Sequence, residues 1–494
     1  MKKNYRLLAL FLAALLAALT ACGEAAGSAD TTASSADTTA PAETEPSREN
    51  TPDNLPALDF GGQKIRFGHQ SIMDSPLNAE ETGDIVDDAH FRRNIQVQER
   101  LNVEFELVPT SETNSQKFLN NVKSTILAGD DSYDIIISNH CWMAPLEVGG
   151  CFTNVADAPY LDFDQPWWAE EFMQISSLHE DTRYILVGDV LENTIASMSA
   201  VFFNRRMFED HYGNPDSLYD LVLDGKWTMD KMREYISGAY QDLNADGKAD
   251  LGDILGLGST ASSPTEHFAF PMGMKIIERD DEGYPTLVKD QSRNVEITDK
   301  LYQLLYETEG VMVASDANMI NNEFPVKFAE GTMLFHADRI GSAGAFRDAK
   351  DPYGVIPRPK LDESQKDYGA LVHDSHQVYA IPITVADIEA PCAVLEAMAA
   401  EGYRKVIPAY YEVTLKVKYA HDDLSSQMLD LIHQNATTDW IYANNYALAS
   451  GGSLGTVQRK LMSAKSRDFM STYATLSAQV EASLKTLIDQ DKAK

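Results

Sequence analysis

Hydrophobic positions along this chain switch repeatedly between a period of two and a period near 3.6. Residues 63–68 (QKIRFG) alternate after the Gly61-Gly62 turn, as a half-buried strand does. Residues 87–101 then place Phe91, Ile95, Val97 and Leu101 on a helical stripe. Residues 102–108 alternate again, with Val103, Phe105 and Leu107 on one face. A second amphipathic helix over 115–128 presents Phe118, Leu119, Val122, Ile126 and Leu127, and 133–137 (YDIII) reads as a short buried strand. This strand–helix order predicts a mostly parallel sheet in an α/β fold. Farther along, 194–204 alternate and end in Val201-Phe202-Phe203-Asn204. A helix is expected over 229–240, with Thr228 as its N-cap and Asp230 in the first turn. Further strands are expected at 333–336, 353–356 and 377–381, and helices over 386–401 and most of 457–488. No internal repeat is visible.

The N-terminus carries a different pattern. Lys2, Lys3 and Arg6 precede an apolar run over 7–19, too short to span a bilayer, and Leu19-Thr20-Ala21-Cys22 closes it. Small residues directly before a cysteine read as a bacterial lipobox, so residues 1–21 are expected to be a signal peptide and Cys22 a lipid anchor. Residues 22–57 are Ala, Ser, Thr, Glu and Pro with almost no large apolar side chain, which predicts a disordered stalk. The remaining ~435 residues exceed one ordinary hydrophobic core and imply two lobes.

Charge narrows the choice of partner. Loss of the first 21 residues removes three of the 41 basic residues and none of the 75 acidic ones, leaving a formal charge of 38 − 75 = −37. Such a chain repels nucleic acid and anionic headgroups, so no nucleic-acid partner is expected, and membrane contact is expected only through the lipid. Four cysteines are too few for a disulfide scaffold. With Cys22 assigned to lipid, Cys141 and Cys151 either pair across a short loop or remain, like Cys392, buried thiols.

Several segments, in order, resemble one family. They are Lys64-Ile65-Arg66-Phe67, residues 94–107 (NIQVQERLNVEFEL), 129–137 (GDDSYDIII), 202–208 (FFNRRMF), 226–230 (KWTMD), 328–335 (FAEGTMLF) and 353–360 (YGVIPRPK). Together they resemble the extracellular solute-binding lipoproteins of ABC importers, particularly the sugar-binding class that includes maltose-binding protein. The resemblance implies a two-lobed periplasmic-binding-protein-like fold of type II, with a ligand cleft between lobes joined by hinge strands. Mapped here, lobe 1 would be 58–192 plus 377–420, and lobe 2 would be 194–375 plus 421–494. It also implies a carbohydrate ligand, an oligosaccharide first, and the transmembrane subunits of an ABC permease as partner. The protein would be a monomer at the outer face of a bacterial cell membrane.

Candidate chemistry falls in three places. Asp242-Leu243-Asn244-Ala245-Asp246-Gly247 matches a calcium loop D-x-N-x-D-G, continued by Lys248, Asp250 and Asp253. Asp242, Asn244, Asp246, Asp250 and Asp253 would supply side-chain oxygens and Lys248 a carbonyl, with Asp in place of Glu at position twelve. The expected cofactor is therefore structural calcium. For ligand, strand carboxyl ends border the crevice of an α/β sheet, which points to Asn139, His140 and Trp142 after the 133–137 strand. Trp142 is the first stacking candidate; Trp167 and Trp168 follow. His336, Asp338 and Arg339 would approach from lobe 2, and His373, Asp374 and Ser375 lie at the second hinge crossing. Trp227 reads as core at a helix start.

Two other chemistries have formal matches in the sequence. His373 and His376, three apart in a strand, face opposite ways and do not suit joint zinc ligation. Gly451-Gly452-Ser453-Leu454-Gly455 fits a nucleophile motif formally, yet the last histidine, His433, precedes the serine and the triad order fails. A binding protein rather than an enzyme is expected. The rivals are a secreted glycan-degrading enzyme, which needs only two carboxylates, and a surface glycan sensor or adhesion protein.

Overall fold

The computed structural model describes residues 48–70, 77, 80–108, 110–411, 423–448 and 454–493. Cys22, the signal segment and Gly451 to Ser453 lie outside them. The nine strands of two sheets are numbered in chain order: β1 Gln63–His69, β2 Val103–Val108, β3 Ile135–Asn139, β4 Ser199–Asn204, β5 Leu255–Thr260, β6 Val311–Ala314, β7 Met333–Arg339, β8 Tyr353–Ile356 and β9 Gln377–Ala380.

The first sheet has the order β9-β3-β1-β2, with β1 parallel to both β2 and β3 and β9 antiparallel to β3. Its centre is fully apolar: Ile65, Phe67 and Ile135 to Ile137 are all buried. The Ile85–Leu101 helix starts where Asp84 accepts hydrogen bonds from the Val86 and Asp87 amides, and stops where Asn102 turns left-handed at φ 50°. The Glu389–Glu401 helix packs against it.

The second sheet has the order β8-β4-β7-β5-β6, with β4 antiparallel to both β8 and β7 and β5 parallel to its neighbours. Strand β4 is buried throughout. Ala200 and Phe202 enter one core while Val201 and Phe203 enter another, which explains a hydrophobic run without polar alternation. The second core also takes Leu461, Phe469, Leu476 and Leu484 from the C-terminal helices.

Two chain segments pass between the sheets side by side. Met198 pairs with Val372, the His373 amide bonds the Ser197 carbonyl at 3.0 Å, and the Gln377 amide bonds Asn193 Oδ1 at 2.8 Å. The two-sheet α/β architecture is the one expected.

Three local readings change. Residues 194–204 were expected to alternate as a strand throughout, but Asn193–Ala196 is a helical turn, closed by the Ala196 and Ser197 amides on Glu192 and Asn193. Strands β5 and β6 were missed. In β5 the glycines hide the pattern, because a Cβ on Gly256 would stand 2.5 Å from the Ile236 carbonyl and one on Gly258 2.4 Å from the Phe324 ring. The proposed stalk also ends earlier than 57. Arg48 donates to the Tyr403 carbonyl at 2.7 Å, Arg404 to the Thr51 carbonyl at 2.8 Å, and Asn54 to Asp162 at 2.6 Å. Burial raises the Asp53 pKa, but Arg100 and Arg404 outweigh it and hold that carboxyl at about 2. Ion pairs from Asp53 to Arg100 and Arg404 fasten this segment, together with the packing of Leu55 against the first core.

Candidate functional site

The carboxyl ends of β3 and β7 meet at the two crossings. Strand β3 runs directly into the His140–Val148 helix, and the pairing with the approach to β9 continues past the strand. The His140 amide bonds the His376 carbonyl at 3.0 Å and the Cys141 amide bonds the Asp374 carbonyl at 2.9 Å. His376 Nδ1–H donates to the His373 carbonyl at 2.9 Å, which leaves its Nε2 to accept from His140 Nδ1 at 3.4 Å. The Phe172 ring lies against both imidazoles. Burial keeps this pair neutral, pushing His376 down to about 4 and His140 well below the ordinary value.

From the other side, His267 stands edge-to-face on His373 at 5.2 Å. Ser375 Oγ donates to His373 Nδ1 at 2.7 Å. Burial lowers His373 to about 3 and raises the Asp374 carboxyl to about 6. Arg459 grips the fully buried Glu266 through Nε and Nη2 at 3.1–3.2 Å. A pocket of ≈ 260 Å³ opens beside these groups, with Asn193, Ala196 and Ser197 of the first crossing facing Asp338, Arg339, Gly341 and Ser342 at the end of β7. Asp338 is 5% exposed, and its Oδ2 has no hydrogen-bond partner.

Unpaired buried polar atoms gather around this junction. They include Ser138 Oγ, Asn139 Oδ1, His140 Nε2 and Gln377 Oε1 from the first lobe and Ser199 Oγ at the crossing. His267 Nε2 and Arg358 Nε and Nη1 come from the second. Each costs about 1–3 kcal/mol if left unmatched, so their grouping makes the junction the most under-satisfied polar region among the described residues. Arg339, Arg358 and Arg459 are offset locally by Asp338, Asp374 and Glu266, so the site is charge-balanced. An aromatic pair lies near Asp374, outside the lining of that pocket. Trp142 stacks on Tyr446 with centroids 4.3 Å apart and planes 11° from parallel.

Of the residues picked from sequence, Asn139, His140, Trp142, His373 and Asp374 surround the junction, and Asp338 and Arg339 line its pocket. His336 sits deeper. It lies among Phe202, Phe328 and Phe346, where burial lowers it to about 4. Trp167 and Trp168 donate both indole N–H groups to Glu396, at 2.9 and 2.8 Å. They line a separate pocket of ≈ 480 Å³ against Thr194, Ile195 and Met198, the opposite side of the first crossing. Trp227 is core, its indole N–H on the Pro357 carbonyl. Sequence reasoning missed Tyr446, Arg459, His267 and Glu266, which come from no periodic or spaced motif. Cys141, Cys151 and Cys392 are buried free thiols.

The 242–253 loop joins the Met229–Ala239 helix to β5, closed at its base by the Gln241–Ile254 bridge. Asp242 accepts the Ala245 and Gly247 amides at 2.7 and 2.8 Å, and Asp246 accepts Lys248 at 2.8 Å. Both Asp253 oxygens take loop amides. Gly247 turns at φ 74°. Oxygen donors on such a curled loop suit a hard cation, although among the described residues no group of three or more His, Cys, Asp or Glu side chains converges on one point. The loop shares no residue with either pocket.

No protein-family model and no curated protein sequence matches this chain. Solved structures do. The galacto-N-biose-/lacto-N-biose I-binding protein of an ABC transporter from Bifidobacterium longum, in complex with lacto-N-biose, matches with a TM-score of 0.56 at 10% identity, over 86% of this chain and 98% of that one. UgpB from Mycobacterium tuberculosis in complex with glycerophosphocholine gives 0.51 at 14% identity, over 87% and 99%. The maltose/maltodextrin-binding domain MalE from Bdellovibrio bacteriovorus bound to maltotriose gives 0.50 at 12% identity, over 86% and 100%. The chain has the two-lobed α/β fold of these binding proteins.

Proposed function

We propose that this protein is the solute receptor of an ABC importer, capturing a carbohydrate, an oligosaccharide first, and handing it to the transmembrane permease subunits. The carrying observation is the pocket at the end of β7, where the buried Asp338, its Oδ1 3.6 Å from Arg339 Nε and its Oδ2 without a hydrogen bond, faces the crossing together with Arg339. A charge-balanced wall of hydrogen-bonding groups, with the Trp142–Tyr446 pair at the same junction, suits a neutral polyhydroxyl ring better than a strongly charged solute. Capture works by population shift: a solute touching both lobes favours the closed form, and the permease reads that form. Thermal-shift screening of the full chain against a glycan panel, with glycerophosphodiesters alongside, tests this reading. Stabilisation by one glycan class is expected; binding of phosphodiesters alone would reassign the solute. Glycan turnover by the purified protein would favour the rival enzyme.

In this reading the receptor is a monomer tethered by lipid at the outer face of the cell membrane, near its permease; the lipobox at Cys22 supports the tether. Cys22→Ser is expected to release the protein from the membrane fraction into the soluble one, as read by fractionation and immunoblot. Continued membrane retention of the variant would remove the anchor from the account.

Structural calcium in the 242–253 loop belongs to the same proposal. Asp242, Asn244, Asp246, Asp250 and Asp253 would hold the ion with the Lys248 carbonyl, and the ion would pin the turn between helix and β5. Chelator is expected to lower the melting temperature of the wild type and to leave that of Asp246→Ala unchanged. A wild type indifferent to chelator would make the loop a turn and nothing more.

A further inference from the structure

The Glu170–Ser176 helix belongs to the first lobe: Phe172 packs on His140 and His376, the Ala169 amide bonds Val187, and Leu186 bridges to Tyr379 of β9. Its C-terminal carbonyls have no partners within the helix, and they carry the negative end of its dipole. Their partners come from the other lobe. Arg279 Nη2 donates to the carbonyls of Gln174, Ile175 and Ser177 at 2.5–3.0 Å, and Nη1 donates to Leu178 at 3.0 Å. Asn444 Nδ2 takes the remaining carbonyl, Ser176, at 2.7 Å. Five consecutive carbonyls are thus held by two side chains.

Arg279 ends the first strand of a hairpin, Ile277–Arg279 with Pro285–Leu287, that is fixed to the second lobe. The Ile276 and Ile277 amides both bond Asp439, and Leu287 packs in the second core. The hairpin tip reinforces the contact. Gly283 O accepts the Glu180 amide at 3.2 Å, and the Tyr284 ring meets His179 edge-to-face at 4.7 Å. A guanidinium is suited to this role because its planar fork offers five donors and a fixed charge to a converging set of carbonyls. Just past the helix, Leu178 is buried in the second core, so the cap sits where the chain leaves first-lobe packing for second-lobe packing.

We propose that Arg279 is a positioning residue for solute capture: with Asn444 it caps a first-lobe helix from the second lobe, and this cap sets the balance between closed and open forms before any solute arrives. The cap favours the approach in which Trp142 already stacks on Tyr446. It rests on the hinge reading given above, but its test needs no solute.

The experiment uses the full chain carrying Cys22→Ser, with spin labels at Leu127→Cys on the first lobe and Val326→Cys on the second. Both positions are exposed, while the native thiols are buried and stay unlabelled. Pulsed electron–electron resonance then reads the inter-lobe distance. The parent is expected to show one narrow distribution. Arg279→Ala and Asn444→Ala should each add a longer-distance population, raising the open-to-closed ratio at least tenfold for Arg279→Ala, with Arg279→Lys intermediate. Folded Arg279→Ala with the parent's distribution overturns the proposal. If Arg279→Ala does not fold, Arg279→Gln and Asn444→Ala decide by the same criterion. Failure here leaves the solute assignment standing, and failure of every solute screen leaves this result standing.

Discussion

Glu396→Ala is expected to cost the protein about 3–5 kcal/mol of unfolding free energy, measured by denaturant titration. Glu396 is 1% exposed on the Glu389–Glu401 helix. It accepts Trp167 Nε1, Trp168 Nε1 and the Asp162 amide at 2.9, 2.8 and 3.3 Å. Removing it leaves two buried indole donors without an acceptor and a void where the carboxyl stood. The same group gives a pH signature. Burial raises its pKa to about 7, against 4.5 when unfolded, although the bonds from the tryptophans pull the other way. Between those values the native state holds the extra proton, so the stabilisation is complete below about pH 4.5 and is lost as pH rises through 7. A shift of that size corresponds to roughly 3 kcal/mol. Glu396→Gln removes this titration. The stability difference between wild type and Glu396→Gln should therefore move against the wild type from pH 5 to pH 8. A difference independent of pH would show that Glu396 is not protonated in the native state.

Gly402→Ala is the second large effect expected, about 3 kcal/mol or more. Gly402 opens the Gly402–Val406 π-turn, and a Cβ there would stand 1.8 Å from the Asp189 carbonyl oxygen. The obstacle is backbone, so no rotamer relieves it. The segment that must yield leads into the first crossing and is itself held: Arg93 bonds the Val190 carbonyl, and His90 bonds Glu192 at 2.7 Å. Lost stability and faster proteolysis near residue 190 are the expected readouts. Gly344→Ala is the control, since its Cβ would meet nothing within 4 Å. Equal behaviour of the two variants would mean the close approach carries no energy.

Legibility followed the physics of each element. One-sided alternation and β-branched runs made β1, β2 and β3 readable, and apolar spacing did the same for the helices beside them. Strand β5 was hidden because Gly256 and Gly258 serve the close approach of Ile236 and Phe324 rather than the pattern. In the site, Asn139 to Trp142 and Asp338-Arg339 were findable because they stand at, or just after, the carboxyl ends of strands. Tyr446, His267 and Arg459 were not, since only tertiary folding brings them to the crossings. Trp167 and Trp168 show the converse: aromatic residues in a loop suggest stacking faces, yet their polar ends are committed to a carboxylate more than 200 positions away.

The proposed receptor captures its carbohydrate at the junction of the crossings. Calorimetric titration of the glycan that stabilises the full chain, repeated on Asp338→Ala, tests it most directly. The expected result is one-to-one binding without products by the wild type, weakened at least tenfold in the folded variant. Unchanged affinity in Asp338→Ala, or no glycan binding beside tight binding of another solute class, would contradict it.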